Sequence, residues 1–98
     1  INGLKRYITN APIAGVFTVI ARCGSSIDAF VVPASAPGIV IREPEALVGG
    51  HGSQHAEVEL RYVVVPAGNR LGSGGDGFAT AMRSLDAGRL LWAAYAVG

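Results

Sequence analysis

The chain has little cysteine, little charge and no long apolar run, and each shortage excludes a class of protein. Its 98 residues include a single cysteine, Cys23, which excludes an internal disulfide framework and favours a reducing compartment. Charged residues make up 15% of the chain and the net charge is +1, so there is no general electrostatic basis for binding nucleic acid or an anionic membrane. No stretch approaches the roughly 18 consecutive apolar residues of a membrane span.

Apolar residues and glycine are plentiful instead. Half of the residues are hydrophobic and 14 are glycine, a composition that argues against disorder, because disordered segments are poor in apolar residues and rich in charge. The length sets a ceiling of one self-contained domain. The chain begins at Ile1 and stops at Gly98, directly after an apolar stretch. We therefore expect a piece of a longer protein.

Short strands separated by turns account for the first two thirds of the sequence. Turn residues recur about every ten residues and no helical period is visible there, a pattern typical of an antiparallel sandwich or barrel. In the longest predicted strand the side chains at 56, 58, 60, 62 and 64 share one face, and Glu57, Glu59 and Arg61 share the other. The predicted strands are Leu4–Thr9, Val16–Ala21, Ile27–Val32, Ile39–Arg42 and His55–Val65.

The last third of the sequence changes to a helical period. Asp76 is a suitable N-cap residue, and apolar residues recur after it at steps of three and four. The predicted helical stripe consists of Phe78, Met82, Leu85, Arg89, Trp92 and Ala96. The pattern therefore predicts a β module followed by the beginning of a helical one.

Two short motifs carry weak signals for a ligand. The segment Gly72–Gly77 matches the G-x-G-x-x-G pattern of dinucleotide-binding folds, but no second strand ending in an acid follows about 20 residues later, so we favour a flexible connector. His51 and His55 are too few for a metal site and are interpreted as loop histidines, and no metal is predicted. Cys23, at a strand end beside a turn, is interpreted as an inert thiol.

Two other segments have the residue types of a binding site. Tyr7 and Thr9 are two apart at a strand end, so an aromatic ring for stacking and a hydroxyl for hydrogen bonding would share one face of the sheet. Arg89 follows Asp86 by three residues on one helix face, and Gly88 leaves room beside the backbone. Taken alone, the residues favour simpler alternatives, namely a core tyrosine with a turn threonine, and a surface ion pair contributing about 0.3–0.5 kcal/mol.

An ordered set of motifs resembles the acyl-CoA dehydrogenase family. The segment from Asn2 to Ala11 is similar to the family's NGxKxWITNA sequence, and the segment from Leu85 to Arg89 is similar to its LDxGR sequence. The similarity between these two runs in order through Ala29–Val32, Pro37-Gly38, His51–Ser53, Val65–Gly72, Gly77-Phe78 and Ala81-Met82. Each motif is weak singly, but the ordered set covers essentially the whole chain and is specific.

The resemblance implies an architecture and a cofactor. Residues 1–72 would be the middle β-barrel or sandwich domain, truncated at its N-terminus, and residues 73–98 the connector and first α-helix of a C-terminal helical bundle. The implied cofactor is FAD, with Tyr7 packed against the isoalloxazine ring, Thr9 hydrogen-bonded near flavin N5 and Ile8 between them. The residues implied to contact the acyl-CoA substrate are Asp86, Ala87, Gly88 and Arg89.

The resemblance also implies a reaction, the α,β-dehydrogenation of an acyl-CoA thioester. A glutamate removes the α proton while the β hydrogen leaves as hydride to flavin N5. Gly88 occupies the position that carries this glutamate in some branches of the family, so we expect the base outside this chain and no catalytic residue within it. The implied partners are an electron-transferring flavoprotein or another electron acceptor, and further subunits of a homo-oligomer, a tetramer or a dimer.

The same resemblance implies an intracellular location, cytoplasmic in a bacterium or the mitochondrial matrix in a eukaryote.

A function other than acyl-CoA dehydrogenation also stays open. Tyr7 in place of the commoner tryptophan and His51 in place of an arginine would also suit a non-catalytic β module that binds a partner or an acyl-CoA as a scaffold.

Overall fold

The structure is a computed structural model that describes residues 1–44, 46, 48 and 52–98. His51, one of the two predicted loop histidines, lies outside the described residues. The described residues form two compact units. The first unit consists of Ile1–Phe17 and Val32–Pro66, and the second of Thr18–Val31 and Ala67–Gly98.

Strands dominate the described residues, and one long helix follows them. The strands are β1 (Gly3–Thr9), β2 (Val16–Cys23), β3 (Ser26–Pro33), β4 (Ile39–Ile41), β5 (His55–Leu60) and β6 (Arg70–Leu71). Single 3-10 turns cover Ala11–Ile13 and Ala67–Asn69, and helix α1 covers Gly77–Val97. The strand order is β1-β5-β4 in one antiparallel sheet and β2-β3-β6 in the other. The predicted class, mainly β with one following α-helix, is confirmed, and the described strands form two separate sheets.

Strand β5 supplies the buried face of the first sheet. Its side chains alternate as predicted, because Ala56, Val58 and Leu60 are at most 3% exposed. Strands β1 and β4 pair with β5 on either side, and Gly3 and Ile39 both lie opposite Leu60. Burial of these aliphatic side chains stabilises the sheet. The opposite face of β5 carries the polar side chains.

The predicted alternation beyond Leu60 is wrong, because the backbone changes direction at Tyr62. Tyr62 has a left-handed φ of 51°, and β5 ends at Leu60 instead of the predicted Val65. The break reverses the alternation, so that Val63 is 2% exposed, while Tyr62 and Val64 are 84% and 87% exposed. The Tyr62 backbone N–H donates to the side-chain oxygen of Asn2 at 2.7 Å, which holds the turn.

The second sheet contains a strand that the sequence did not predict. Strands β2 and β3 are joined at the predicted turn, where Gly24 takes a φ of 61°. Strand β6 has two residues and pairs antiparallel with β3, Arg70 lying opposite Phe30. The preceding turn is fixed by the side-chain amide of Asn69, which donates to the Val31 carbonyl at 2.9 Å. Two residues are too few to show alternation, which needs about four to eight.

Helix α1 begins where the sequence predicted, but its start is held differently. Asp76 is the N-cap residue and makes no side-chain capping hydrogen bond; its carboxylate accepts from the Ser73 hydroxyl at 3.1 Å. Gly77, the first helical residue, is buried, and a Cβ there would lie 2.7 Å from the Ile27 carbonyl oxygen. The close approach of helix and strand backbone therefore requires glycine at this position.

The remainder of α1 exposes its apolar side chains. Within the predicted stripe, Phe78, Leu85 and Trp92 are 57%, 48% and 58% exposed. Leu90 and Leu91, outside the stripe, are 75% and 73% exposed. In the part of the chain that the structure describes, no helix combines the length and hydropathy needed to cross a membrane.

Candidate functional site

The end of β1 is built around a β-bulge. Positions 5 and 8 of β1 pair with positions 58 and 56 of β5, so Arg6 and Tyr7 together lie opposite one residue, Glu57. Tyr7 accommodates the extra residue with a left-handed φ of 54°. The register shift returns Ile8 to the face of the buried β5 side chains and leaves Thr9 on the opposite face.

Tyr7 and Thr9 are exposed on the polar face of this sheet. Thr9 lies opposite His55, and its Oγ1 is 3.0 Å from His55 Nε2. The Tyr7 side chain is 58% exposed, so the alternative of a core tyrosine is wrong. The predicted shared face is present, although it depends on the bulge: regular alternation would have sent both residues to the buried face.

Arg6 and Glu57 hold the bulge from the side. The Arg6 Nε is 2.6 Å from Glu57 Oε1, and its guanidinium carbon lies 5.0 Å from the centroid of the Tyr7 ring. The second contact is a cation–π interaction. Since the Arg6 side chain is 56% exposed, its ion pair with Glu57 contributes little to stability.

The polar face continues along β5 with a second paired carboxylate. Glu59 contacts Arg61 at 2.8 Å and Arg42 at 2.6 Å. The hydrogen bond from the Arg61 guanidinium is the main cause that holds the pKa of Glu59 below its usual value, and it raises the pKa of Arg61 in turn. Both glutamates of this face, Glu57 and Glu59, are thus neutralised by arginine.

His55 is the residue of this site that sequence reasoning missed. His55 is the first residue of β5, where the predicted strand His55–Val65 also begins, so the interpretation of His55 as a loop histidine is wrong. Its Nδ1 is buried and has no hydrogen-bond partner among the described residues. Those residues also contain no group of three or more His, Cys, Asp or Glu side chains that could hold a metal ion. The signal for His55 is its register with Thr9, which the sequence does not show.

The predicted substrate segment lies on α1, in the second unit. Arg89 Nη1 is 2.9 Å from Asp86 Oδ1, with the two side chains 68% and 69% exposed. Ala87 is exposed, and apart from the neighbouring backbone of α1 itself no atom of the described residues lies within 4 Å of the position that a Cβ would take at Gly88. The local ion pair favoured by the residues alone is therefore present. Contact of this segment with a substrate stays a prediction.

The glycine-rich segment Gly72–Gly77 leads from β6 into the first residue of α1, and the Gly75 amide within it is already hydrogen-bonded. The Gly75 N–H donates to Asp28 Oδ1 at 2.5 Å, and the Ser26 hydroxyl donates to the same carboxylate at 2.9 Å. The amide of Gly75, and after it the hydroxyl of Ser26, keep the pKa of this 2% exposed aspartate below its usual value. The preceding strand β6 is antiparallel to β3, not parallel as in dinucleotide-binding folds. The connector interpretation is supported.

Most of the chain matches the model of a known protein family. The family model described as "Acyl-CoA dehydrogenase, middle domain" matches residues 1–63. The chain belongs to the acyl-CoA dehydrogenase family. The probable acyl-CoA dehydrogenase YngJ of Bacillus subtilis is 42% identical over 104 residues, which cover the whole chain and 27% of that protein.

Two solved structures have a similar fold. An acyl-CoA dehydrogenase of Bacillus anthracis, complexed with FAD, is similar with a TM-score of 0.84 at 35% identity, covering 90% of this chain and 15% of that one. The electron transferring flavoprotein structure of Acidaminococcus fermentans is similar with a TM-score of 0.84 at 39% identity, covering 90% and 24%. The resemblance seen in the ordered motifs is confirmed, and the chain spans 27% of the length of the curated relative YngJ.

Proposed function

We propose that this chain is the middle-domain part of an FAD-dependent acyl-CoA dehydrogenase that catalyses the α,β-dehydrogenation of an acyl-CoA thioester. The observation that carries the proposal is the bulged end of β1, where the exposed Tyr7 ring and the Thr9 hydroxyl share one face. The FAD complex of the similar Bacillus anthracis enzyme supports the cofactor.

The end of β1 fits a flavin ring. An isoalloxazine is planar and apolar on its faces and has nitrogen and oxygen atoms at its edge, so it suits an aromatic surface beside a hydroxyl. Tyr7 offers the ring surface and Thr9 the hydroxyl, while Ile8 fixes the strand between them by pairing with Ala56. FAD, when bound, supplies the hydride acceptor, and the share of these three residues is to bind and orient it.

The acyl-CoA thioester is proposed to contact α1 at Asp86, Ala87, Gly88 and Arg89. Exposure of this segment and the open space beside Gly88 support the proposal. An exposed ion pair is weak and is readily exchanged for contacts with a ligand. Because Glu57 and Glu59 are both held by arginines, neither is proposed as the base, which we expect in the rest of the protein together with the C-terminal bundle begun by residues 73–98.

The proposed electron acceptor is an electron-transferring flavoprotein or another oxidant. The similar structure of an electron transferring flavoprotein supports the first of these two acceptors.

The intact protein is proposed to be an intracellular homo-oligomer, a tetramer or a dimer. Size-exclusion chromatography with light scattering on the full-length protein would give the number of subunits.

The deciding experiment uses the purified full-length protein. We expect it to carry a yellow flavin that bleaches anaerobically with a suitable acyl-CoA and does not bleach with free CoA, which has no α,β bond to oxidise. A protein that gains no flavin on reconstitution would overturn the proposal. A flavoprotein that no acyl-CoA bleaches would favour the scaffold alternative.

A further inference from the structure

We infer that His55 is a positioning residue that directs the hydroxyl proton of Thr9 toward the flavin edge. The inference rests on the proposed FAD site and adds to it a residue that lies outside its three named members. It depends on two observations, the contact of 3.0 Å between Thr9 Oγ1 and His55 Nε2 and the buried Nδ1 of the same ring, which has no hydrogen-bond partner among the residues that the structure describes.

The environment of the two ring nitrogens selects the tautomer of His55. A neutral imidazole has one N–H donor and one acceptor nitrogen. If Nε2 accepted from Thr9, Nδ1 would carry the proton as a buried donor without an acceptor. If Nε2 carries the proton and donates to Thr9, Nδ1 keeps only an unused lone pair. Orphaned buried N–H groups are rarer in proteins than under-used acceptors, so the Nε2–H form is assigned.

This tautomer fixes the role of the threonine hydroxyl. With one lone pair of Oγ1 occupied by the His55 N–H, the hydroxyl proton of Thr9 points away from the imidazole and needs another acceptor. The carboxylate of Glu57, two residues along β5, is taken by Arg6. A ligand edge with free acceptor atoms, such as that of an oxidised isoalloxazine, satisfies the hydroxyl. His55 thereby makes Thr9 a dedicated donor.

The first test reads the tautomer without flavin. The full-length apoprotein is labelled with nitrogen-15 in its histidine rings, and the His55 resonances are assigned by their loss in His55→Gln. We expect a protonated Nε2 and an unprotonated Nδ1. A proton on Nδ1 would overturn the inference whether or not the protein binds FAD.

The second test is a double-mutant cycle on the flavin midpoint potential of the FAD-loaded full-length protein. A donor hydroxyl stabilises the oxidised flavin, whose edge atoms are free acceptors. His55→Leu is therefore expected to increase the equilibrium constant for flavin reduction about fivefold, which raises the midpoint potential by ~20 mV for a two-electron couple. His55→Gln retains an N–H donor of similar reach, so its equilibrium constant for flavin reduction should stay within twofold of that of the unsubstituted protein. In the Thr9→Val background, His55→Leu should have no further effect.

The outcomes separate the two claims. His55→Leu could shift the midpoint potential equally with Thr9 present and in the Thr9→Val background, or His55→Gln could shift it as much as His55→Leu does. Either result would show that His55 acts through general structure. It would overturn the inference and leave FAD binding and the proposed function intact. A protein that binds no flavin in any variant overturns the proposed function, and the inference with it.

Discussion

The two candidate sites of this chain are held together in opposite ways. At the end of β1, Thr9 meets His55, which is 46 residues further along the sequence. On α1, Asp86 meets Arg89 only three residues away. The first geometry exists only when the sheet is formed, whereas the second needs a single helical turn. The geometry at the strand end is therefore set by the pairing of distant strands, whereas the geometry of the helix segment is set within α1 itself.

The strongest way to separate the two sites is to disturb the start of α1. Gly77→Ala would place a Cβ 2.7 Å from the Ile27 carbonyl oxygen and against the Asp28 backbone. We expect this overpacking to lower the free energy of unfolding by about 1–3 kcal/mol. Acyl-CoA binding should weaken with it, while FAD binding is retained. Urea denaturation and titrations of both ligands on the full-length protein would measure these changes.

Gly88→Ala on the same helix is the matched control. Among the described residues, no atom outside the neighbouring backbone of α1 lies within 4 Å of a Cβ at this position. Alanine is favoured over glycine in a helix interior by up to ~1 kcal/mol. The variant should be slightly more stable and still bind acyl-CoA less well, since the added methyl group occupies the space proposed for the substrate. Equal destabilisation by the two substitutions would contradict the packing argument at Gly77.

A smaller effect is expected at the strand end. Thr9→Val removes the hydroxyl and keeps the β-branched shape, so the sheet should stay intact while flavin reduction by acyl-CoA slows by about tenfold, equivalent to ~1.4 kcal/mol for a lost hydrogen bond. Stopped-flow absorbance of the flavin would measure the rate. Thr9→Ser keeps the hydroxyl and should lie close to the unsubstituted protein; unchanged kinetics in Thr9→Val would remove Thr9 from the site.

The smallest predicted effect concerns a carboxylate in each region whose pKa is lowered by folding. Asp28 is held chiefly by the amide of Gly75, and Glu59 chiefly by the guanidinium of Arg61. For a lowered pKa, the stabilisation is present above the usual values of about 3.9 for Asp and about 4.3 for Glu. It is lost as the pH falls through the lower, folded-state pKa.

Salt should distinguish these two carboxylates. The arginines that hold Glu59 are 52% and 58% exposed and are screened by salt, whereas the Asp28 carboxylate is buried against an amide. Acid unfolding of Glu59→Gln and Asp28→Asn would be measured at low salt and at about 1 M salt, where the screening length is ~3 Å. We expect the effect of Glu59→Gln to shrink at high salt and that of Asp28→Asn to persist; the same salt response in both would contradict this assignment.

The sequence predicted those parts of the fold that repeat along the chain. The alternation that buries Ala56, Val58 and Leu60 is visible as a period of two. The turn at Gly24 uses a residue suited to positive φ. The break after Leu60 was not predictable in this way, because Tyr62 is a β-forming residue that tertiary contacts hold in a left-handed conformation.

The residues of the proposed FAD site were named from a sequence motif, but their arrangement was not predictable from the sequence. The motif around Tyr7 and Thr9 indicated both residues, yet the bulge that brings them to the exposed face comes from the pairing of β1 with β5. His55 was not predicted as a member of the site, because only the strand register places it opposite Thr9 and its sequence neighbours do not indicate this contact. Local signals thus identify residues, and only strand pairing identifies which of them work together.

The hydrogen bond between Gly75 and Asp28 has a practical consequence for dividing the protein. A cut at the predicted boundary between residues 72 and 73 would remove the Gly75 amide, which donates a hydrogen bond to the buried carboxylate of Asp28 on β3. The β piece would then have to solvate or protonate Asp28, either of which opposes folding. A fragment that contains the strands alone should accordingly extend through Asp76. It then includes the connector and omits α1 with its exposed apolar side chains.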